Sequence, residues 1–296
     1  MNNSNPLISL IIPTFNSEKV LNRCLESVIN QNSKYFEIII QDGASTDATA
    51  AIVEKYSSCH SFIHFYSSRD LGIYDAMNRA ILKATGAWLI FLGSDDFLVG
   101  SNIISEVEEI ILSNPNAHMI YGNVLSKSLG RKTRGIYGGR FDENRILRQN
   151  ICHQAIFYKK MILGNDPYNL RYRYYADYAL NLRLILDSSI IKIYMPKVIS
   201  NFTEGGFSST VSEDVAFNKE FSTLVGKHAK KNFHAYKHKF KFLTTFLHKV
   251  NKMEGLTVSV RICQTNFQKF KLYTYPSILF VSLRYILGLY FMKKHQ

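Results

Sequence analysis

Four times within its first 112 residues the chain repeats one pattern: a short apolar run, a loop rich in Gly, Asp, Ser or Asn, then a stretch with helical spacing. The apolar runs are Leu7–Ile12, Phe36–Ile40, Phe62–Tyr66 and Trp88–Leu92. Helical spacing follows over Glu18–Gln31, Thr46–Tyr56 (with Ser45 or Thr46 as its cap), Tyr74–Ala84 and Asn102–Leu112, the last stopped by Asn114-Pro115. Regular β-α alternation predicts an α/β fold, a mostly parallel sheet with helices on both faces. In such sheets ligands bind beyond the carboxyl ends of the strands, so the four polar loops are read first.

Beyond residue 118 the pattern changes. Met119–Tyr121 predicts one more strand, Ala176–Leu186 a helix and Ile190–Met195 a strand, while Gly130–Gly139 is a basic, glycine-containing loop. Residues 213–252 read as a basic amphipathic helical region, and Leu272–Met292 is mostly apolar with Arg284 inside it. This divides the chain into residues 1–125, 126–212 and 213–296.

With 46% hydrophobic and 20% charged residues in a chain of 296, a packed core is expected and disorder is not. The net charge of +13 asks for an anionic partner, and the excess is regional: Lys219 to Lys252 carries nine lysines and one acid, Glu220. Cys24, Cys59, Cys152 and Cys263 form no CxxC pair and no zinc spacing, which predicts free thiols in a reducing compartment. The polar opening residues and the short first apolar run predict a cytosolic N-terminal part. No GxSxG, P-loop, HExxH or GxGxxG is present.

The loops themselves suggest chemistry. Asp95 and Asp96 follow the fourth apolar run, where two adjacent carboxylates suit a hard divalent cation as well as a solvated turn. Asp42 in Asp42-Gly43-Ala44-Ser45-Thr46-Asp47 offers an acceptor for an imide or a ribose hydroxyl, and Gly43 permits a tight turn. Thr14, Phe15 and Asn16 end the first run with backbone and aromatic contacts suited to a base. Asp70 lies in the Arg69-Asp70-Leu71-Gly72-Ile73-Tyr74-Asp75-Ala76-Met77-Asn78 segment after the third run.

In order and at strand ends, PTFN, DGASTD, RDLGIYDAMN and FLGSDD make residues 7–210 resemble the inverting GT-A glycosyltransferases of family 2. The resemblance implies a nucleotide-diphosphate sugar donor, Thr14 and Phe15 at the nucleobase, Asp42 on the uracil of a UDP-sugar and Asp70 near the nucleotide. It also implies Asp95 on the ribose and beside the metal, and Asp96 as ligand to Mn²⁺ or Mg²⁺. The family motif often carries an acid or Asn where this chain has Ser94. Ile151-Cys152-His153-Gln154-Ala155 resembles the family's His-Gln segment, with His153 and Gln154 toward diphosphate or acceptor; a structural histidine is the other reading of His153. Tyr175-Ala176-Asp177-Tyr178 resembles the element that carries the catalytic base, which assigns that role to Asp177. The other reading of Asp177 is an acid favoured by a helix N-terminus. Gly205-Gly206-Phe207-Ser208 resembles the glycine loop that closes over both substrates.

The lysine-rich region and the apolar stretch after it predict peripheral attachment to an anionic inner-membrane surface on the cytoplasmic face. No nucleic-acid module accompanies the lysines, and nucleic acid is not expected as a partner. A lipid-linked acceptor follows. Within the family the chain is similar to bacterial β-1,3-hexosyltransferases that build O-antigen or capsule units on GlcNAc-diphosphoundecaprenol. UDP-galactose is the first expectation for the donor and UDP-glucose the second. A soluble or protein acceptor, and a non-catalytic nucleotide-sugar-binding scaffold, stand as alternatives.

Overall fold

The computed structural model describes residues 6–126, 129, 135–147, 149–203, 214–221 and 224. Two compact units are present: residues 1–142 with 150–217, and residues 143–149 with 218–296. In the second, the helix α5 (Glu143–Ile146) is followed by an Arg145 Nε to Gln149 Oε1 hydrogen bond of 3.3 Å.

In the first unit the strands β1 (Ile8–Thr14) and β2 (Phe36–Asp42) are buried along their whole length, as β-branched central strands of an α/β sheet must be. They pair in parallel from Ile8 opposite Phe36 to Thr14 opposite Asp42. β3 (Ile63–Ser67) extends the sheet beyond β2, and β4 (Trp88–Phe91) pairs in parallel with the other side of β1. The helices between them are α1 (Leu21–Ile29), α2 (Thr49–Cys59) and α3 (Ile73–Lys83), and α4 (Ile103–Ser113) follows. Alternate residues Ile8, Leu10 and Ile12 of β1 join Ile38, Ile40 and Ile90 in one core with Leu21 and Leu25 of α1 and Ile103, Ile104 and Val107 of α4. On the opposite face, α3 packs on β1 and β2, and Phe91 meets the rings of Tyr158 and Tyr168 edge-on.

The remaining strands are β5 (Phe97–Leu98), β6 (Met119–Leu125), β7 (Ile136–Tyr137), β8 (Ile156–Lys159) and β9 (Lys192–Asn201), and the helix α6 (Ala176–Leu186) precedes β9. Among the described residues the order is β3-β2-β1-β4-β8-β6-β9-β5, with β7 on β6. β8 is antiparallel to both β4 and β6, whereas β9 is parallel to β6. The sheet is therefore parallel through the four repeated units and mixed beyond them.

Two helix starts differ from expectation. α2 begins at Thr49, not Thr46, and neither Ser45 nor Thr46 caps it: Ala48 stands at the cap, and Asp47 Oδ1 accepts from the Thr49 N–H at 3.0 Å. Thr46 instead donates its N–H to Asn16 Oδ1 at 2.9 Å, tying the first two polar loops together. α1 begins at Leu21, not Glu18, whose N–H goes to Asp47 Oδ2 at 3.0 Å. Both shifts lengthen the loops at the carboxyl edge.

The chain runs β1 to β2 to β3 outward on one side, then returns to place β4 on the other side of β1. This reversal falls at the carboxyl ends of β1 and β4, the place where open α/β sheets take their ligands.

Candidate active site

Asp42, 1% exposed at the end of β2, gathers three loop ends. Its Oδ1 accepts from Thr14 Oγ1 (3.0 Å) and Ser45 Oγ (2.5 Å), and its Oδ2 accepts from Ser45 N (2.9 Å) and Ser67 Oγ (2.7 Å). Burial works against the charged form, but the hydrogen bonds of Ser45, Ser67 and Thr14 outweigh it and hold the carboxyl below the usual aspartate range. Four donors fill the roughly four lone-pair positions of a carboxylate. In this arrangement a contact from Asp42 to a base N–H means exchange with one of them.

Asn16 sits at positive φ, a conformation Asn tolerates, and receives the Thr46 N–H on its side chain while giving its own N–H to Ser45 Oγ at 2.8 Å. Phe15 is left 64% exposed beside it. A Cβ added at Gly43 would stand 2.7 Å from Asp70 Oδ2 and 3.3 Å from the Phe15 ring, so these two side chains close on the glycine from either side. Burial, with Asp75 nearby, pushes the Asp70 carboxyl up even though the Gly72 N–H bonds it at 2.9 Å. The loop carrying Asp70 is braced by Arg79, which pairs with Asp75 at 2.8 Å and donates to the Arg69 carbonyl at 2.8 Å.

The acid pair lies in the turn between β4 and β5. Asp96 is 2% exposed; its Oδ1 accepts from the Thr203 N–H (2.8 Å) and its Oδ2 from Gln154 Nε2 (2.8 Å). Burial first, and the neighbouring Asp95 second, push its carboxyl up to about 7, and burial raises Asp95 as well. A Cβ at Gly93 would stand 2.7 Å from Asp96 Oδ2 and 2.8 Å from Asp95 Oδ1, so oxygens of both acids converge over a residue that has no side chain. Two converging carboxylate oxygens with lone pairs to spare fit a hard divalent cation, which relieves the repulsion and the burial together. Among the described residues no group of three His, Cys, Asp or Glu could enclose a metal, and a cation held by these two acids would leave coordination positions open to water or phosphate oxygens. Ser94 points elsewhere, its Oγ 2.8 Å from Ser17 Oγ. Arg23 and Thr203 both donate to the Asp95 carbonyl, at 2.8 and 2.7 Å, and Arg23 stacks on Phe97.

Asp177 occupies the first turn of α6, held there by Asp214, whose Oδ2 accepts from the N–H groups of Tyr174 (2.9 Å) and Tyr175 (3.3 Å). That place suits the helix-terminus reading as well, and the residue is buried: it is 8% exposed, and its Oδ2 accepts from Asn150 Nδ2 at 2.7 Å. The Tyr74 hydroxyl lies 2.9 Å from Asp177 Oδ1 and 2.8 Å from the Tyr174 carbonyl. His153 Nδ1 stands 3.4 Å from Asp177 Oδ2, one residue before the Gln154 that bonds Asp96. Burial, reinforced by Asp177 and Asp96, pushes the Cys152 thiol up, so this cysteine is no thiolate nucleophile.

The structure thus groups Thr14, Phe15, Asn16, Asp42 and Asp70 at one set of loops. Asp95, Asp96, Gln154, His153 and Asp177 are linked through the segment 150–154. Gly205 and Gly206 lie outside the described residues, as do the apolar stretch Leu272–Met292 and nearly all of the lysine-rich region. Sequence reasoning missed Tyr74, Asn150, Asn181, Arg23 and Thr203. Tyr74 stood inside a quoted motif; the others carried no local signal.

Residues 9–173 match the family described as Glycosyl transferase family 2. A PGL/p-HBAD biosynthesis glycosyltransferase of Mycobacterium tuberculosis is 40% identical over 210 residues, 70% of this chain and 80% of the relative. The GalNAc(5)-diNAcBac-PP-undecaprenol beta-1,3-glucosyltransferase of Campylobacter jejuni is 25% identical over 173 residues, 55% of each chain. Among solved structures, a mannosyltransferase from Pyrobaculum calidifontis in complex with GDP-Man and Mn²⁺ superposes with a TM-score of 0.56 at 14% identity, over 97% of this chain and 88% of that one. At that identity the likeness concerns the fold. A sheet that reverses at β1/β4, an acid pair at the reversal and the family match over more than half of the length lead to one conclusion: the chain belongs to glycosyltransferase family 2 and has the GT-A fold.

Proposed function

We propose that the chain moves a hexose, with inversion, from a UDP-sugar to a lipid-linked GlcNAc-diphosphate acceptor through a β-1,3 linkage. The observation that carries this reading is the pairing of two acidic centres by residues 150–154: Gln154 on Asp96 and Asn150 on Asp177. A bound Mn²⁺ or Mg²⁺ would neutralise the charge that builds on the leaving diphosphate. Asp96 and Asp95 would hold that cation, and Asp95 would also reach the ribose.

Phe15 offers an exposed ring beside Gly43 for the nucleobase, and Thr14, Asn16 and Asp42 fix the loops beneath it. Asp177 takes the proton of the acceptor hydroxyl as that oxygen bonds to the sugar C1. The bond from C1 to the diphosphate oxygen breaks on the opposite face, which inverts the anomeric centre. His153 lies between the centres, where it can bind the diphosphate or the acceptor.

The lipid-diphosphate acceptor and the β-1,3 linkage draw support from the name of the Campylobacter relative, and a place in surface-polysaccharide assembly accords with it. Peripheral attachment to the cytoplasmic face of an anionic inner membrane draws on the nine lysines of Lys219–Lys252. Among the described residues no helix is long and apolar enough to cross a membrane.

The test is a donor panel of UDP-galactose, UDP-glucose, UDP-GlcNAc and GDP-mannose with a synthetic GlcNAc-diphosphate lipid, with and without Mn²⁺, read by product mass and linkage. Transfer of a hexose from a UDP-sugar supports the reading. Transfer only from GDP-mannose, or no dependence on Asp96, sinks it. Deleting residues 255–296 tests the membrane attachment: full activity on the lipid together with unchanged membrane recovery would show that this segment does not hold the enzyme at the membrane.

A further inference from the structure

Asp177 is held by a directed chain of three side chains, two of them buried. Tyr158 Oη donates to Asn181 Oδ1 (2.7 Å), Asn181 Nδ2 donates to Asn150 Oδ1 (2.9 Å), and Asn150 Nδ2 donates to Asp177 Oδ2 (2.7 Å). Asn181 and Tyr158 are fully buried, and Asn181 stands one helical turn after Asp177 on α6. The direction of the chain is fixed at two points. Asn181 Nδ2 also donates to the Ile151 carbonyl at 3.2 Å, and a carbonyl only accepts. An ionised Asp177 likewise only accepts, so Asn150 has one orientation that satisfies both of its neighbours.

We propose that Asn150 is the positioning residue of the base: its amide, itself oriented by Asn181, locks the Asp177 carboxylate so that an Oδ1 lone pair faces the acceptor hydroxyl. Tyr74 restrains Oδ1 from the other side, and its single hydrogen is shared between Asp177 and the Tyr174 carbonyl. Rotation of the carboxylate loses both donors at once. Asn150 also opens the segment that ends in Gln154, so the residue orienting the base lies four positions from the one that grips Asp96. The inference rests on Asp177 acting as the base.

The experiment compares Asn150→Ala, Asp177→Asn and the double variant in UDP release from the productive donor of the panel, with the GlcNAc-diphosphate lipid as acceptor. UDP affinity and thermal melting are measured on each variant. Misplacement of a reacting group by about 1 Å lowers turnover on the order of 100-fold, so Asn150→Ala is expected to lower kcat by about 10- to 100-fold. Donor KM and UDP affinity stay within about threefold, because Gln154, Asp96 and the nucleotide loops are untouched. In the Asp177→Asn background the same change has no further effect, since the group it positions is gone.

A kcat for Asn150→Ala within threefold of the parent overturns the inference, and so does an equal further loss in the double variant. If Asp177→Asn itself retains parental turnover, the assignment of the base falls, and the inference with it. An inactive Asp177→Asn beside a fully active Asn150→Ala refutes the positioning role alone.

Discussion

Gln154 donates its side-chain N–H to Asp96 Oδ2 across 2.8 Å, and both residues are almost fully buried. The bond leaves a lone pair on that oxygen and a second on Oδ1, where Thr203 N–H is the other donor. Gln154 therefore aims Asp96 without saturating it.

Gln154→Ala is expected to weaken the response to Mn²⁺ more than it weakens the fold. Loss of one hydrogen bond to a buried charged group is worth about 1.5–3 kcal/mol, or roughly 10- to 150-fold in a binding constant if it falls wholly on the cation-loaded state. The measurement is the Mn²⁺ concentration that gives half-maximal UDP release, alongside the melting temperature without metal. An unchanged Mn²⁺ requirement would show that Gln154 does not aim this carboxylate.

Asp42 sets a pH dependence of opposite character from that of Asp96. Its folded-state value lies below the unfolded reference of 3.8, so the stability it contributes is present above that reference and is lost as pH falls through the folded value. Asp42→Asn keeps the shape but cannot accept all four bonds. It should cost about 1–3 kcal/mol at pH 7, with the gap from the parent closing below about pH 4. Urea unfolding of both proteins from pH 7 down to pH 3 reads this directly, and a gap that widens in acid would contradict it.

These features were unequally legible in the sequence. The four strand-loop-helix units are written locally: β-branched runs end in Gly and Asp residues, and each loop carries its own chemistry. Asp42 is bonded by Ser45, three residues away, and that much could be read from DGAST. The mixed half of the sheet was harder, because β8 is only four residues, Ile156–Lys159, with no alternation to mark it. The long-range pairings of Asp96 and Asp177 were not legible. Thr203 reaches Asp96 over 107 positions and Tyr74 reaches Asp177 over 103, and such pairings exist only once the sheet has brought the loops together.

Tyr168 illustrates what the sheet imposes on a residue with no local signal. It is 1% exposed, stacked on Tyr74 with ring centroids 5.4 Å apart, and its hydroxyl has no hydrogen-bond partner among the described residues. Its backbone N–H and carbonyl are both taken by the Asn78 side chain. Tyr168→Phe removes an unsatisfied buried group and keeps the ring, so the protein should gain up to about 1–3 kcal/mol with turnover preserved. Chemical denaturation measures this; a marked loss of stability would reveal a buried water serving that hydroxyl.

Gly93→Ala tests the convergence of Asp95 and Asp96 most directly. The added methyl would lie 2.7 Å from Asp96 Oδ2 and 2.8 Å from Asp95 Oδ1, closer than real Cβ contacts allow, so at least one carboxylate must move. Asp96 resists, being fixed by Gln154 and Thr203, whereas the Asp95 carboxylate is bonded by its own backbone N–H, which leaves it the easier of the two to displace. The backbone carbonyl of Asp95 stays tied to Arg23 and Thr203, which limits damage to the turn. Activity should therefore fall by about 10-fold or more while the melting temperature shifts by only a few degrees, the pattern of a displaced ligand in an intact fold. Added Mn²⁺ should recover less activity in Gly93→Ala than in Gln154→Ala, because here the cradle itself is filled. Turnover equal to the parent's at ordinary Mn²⁺ would mean that the two carboxylates do not act together at this position.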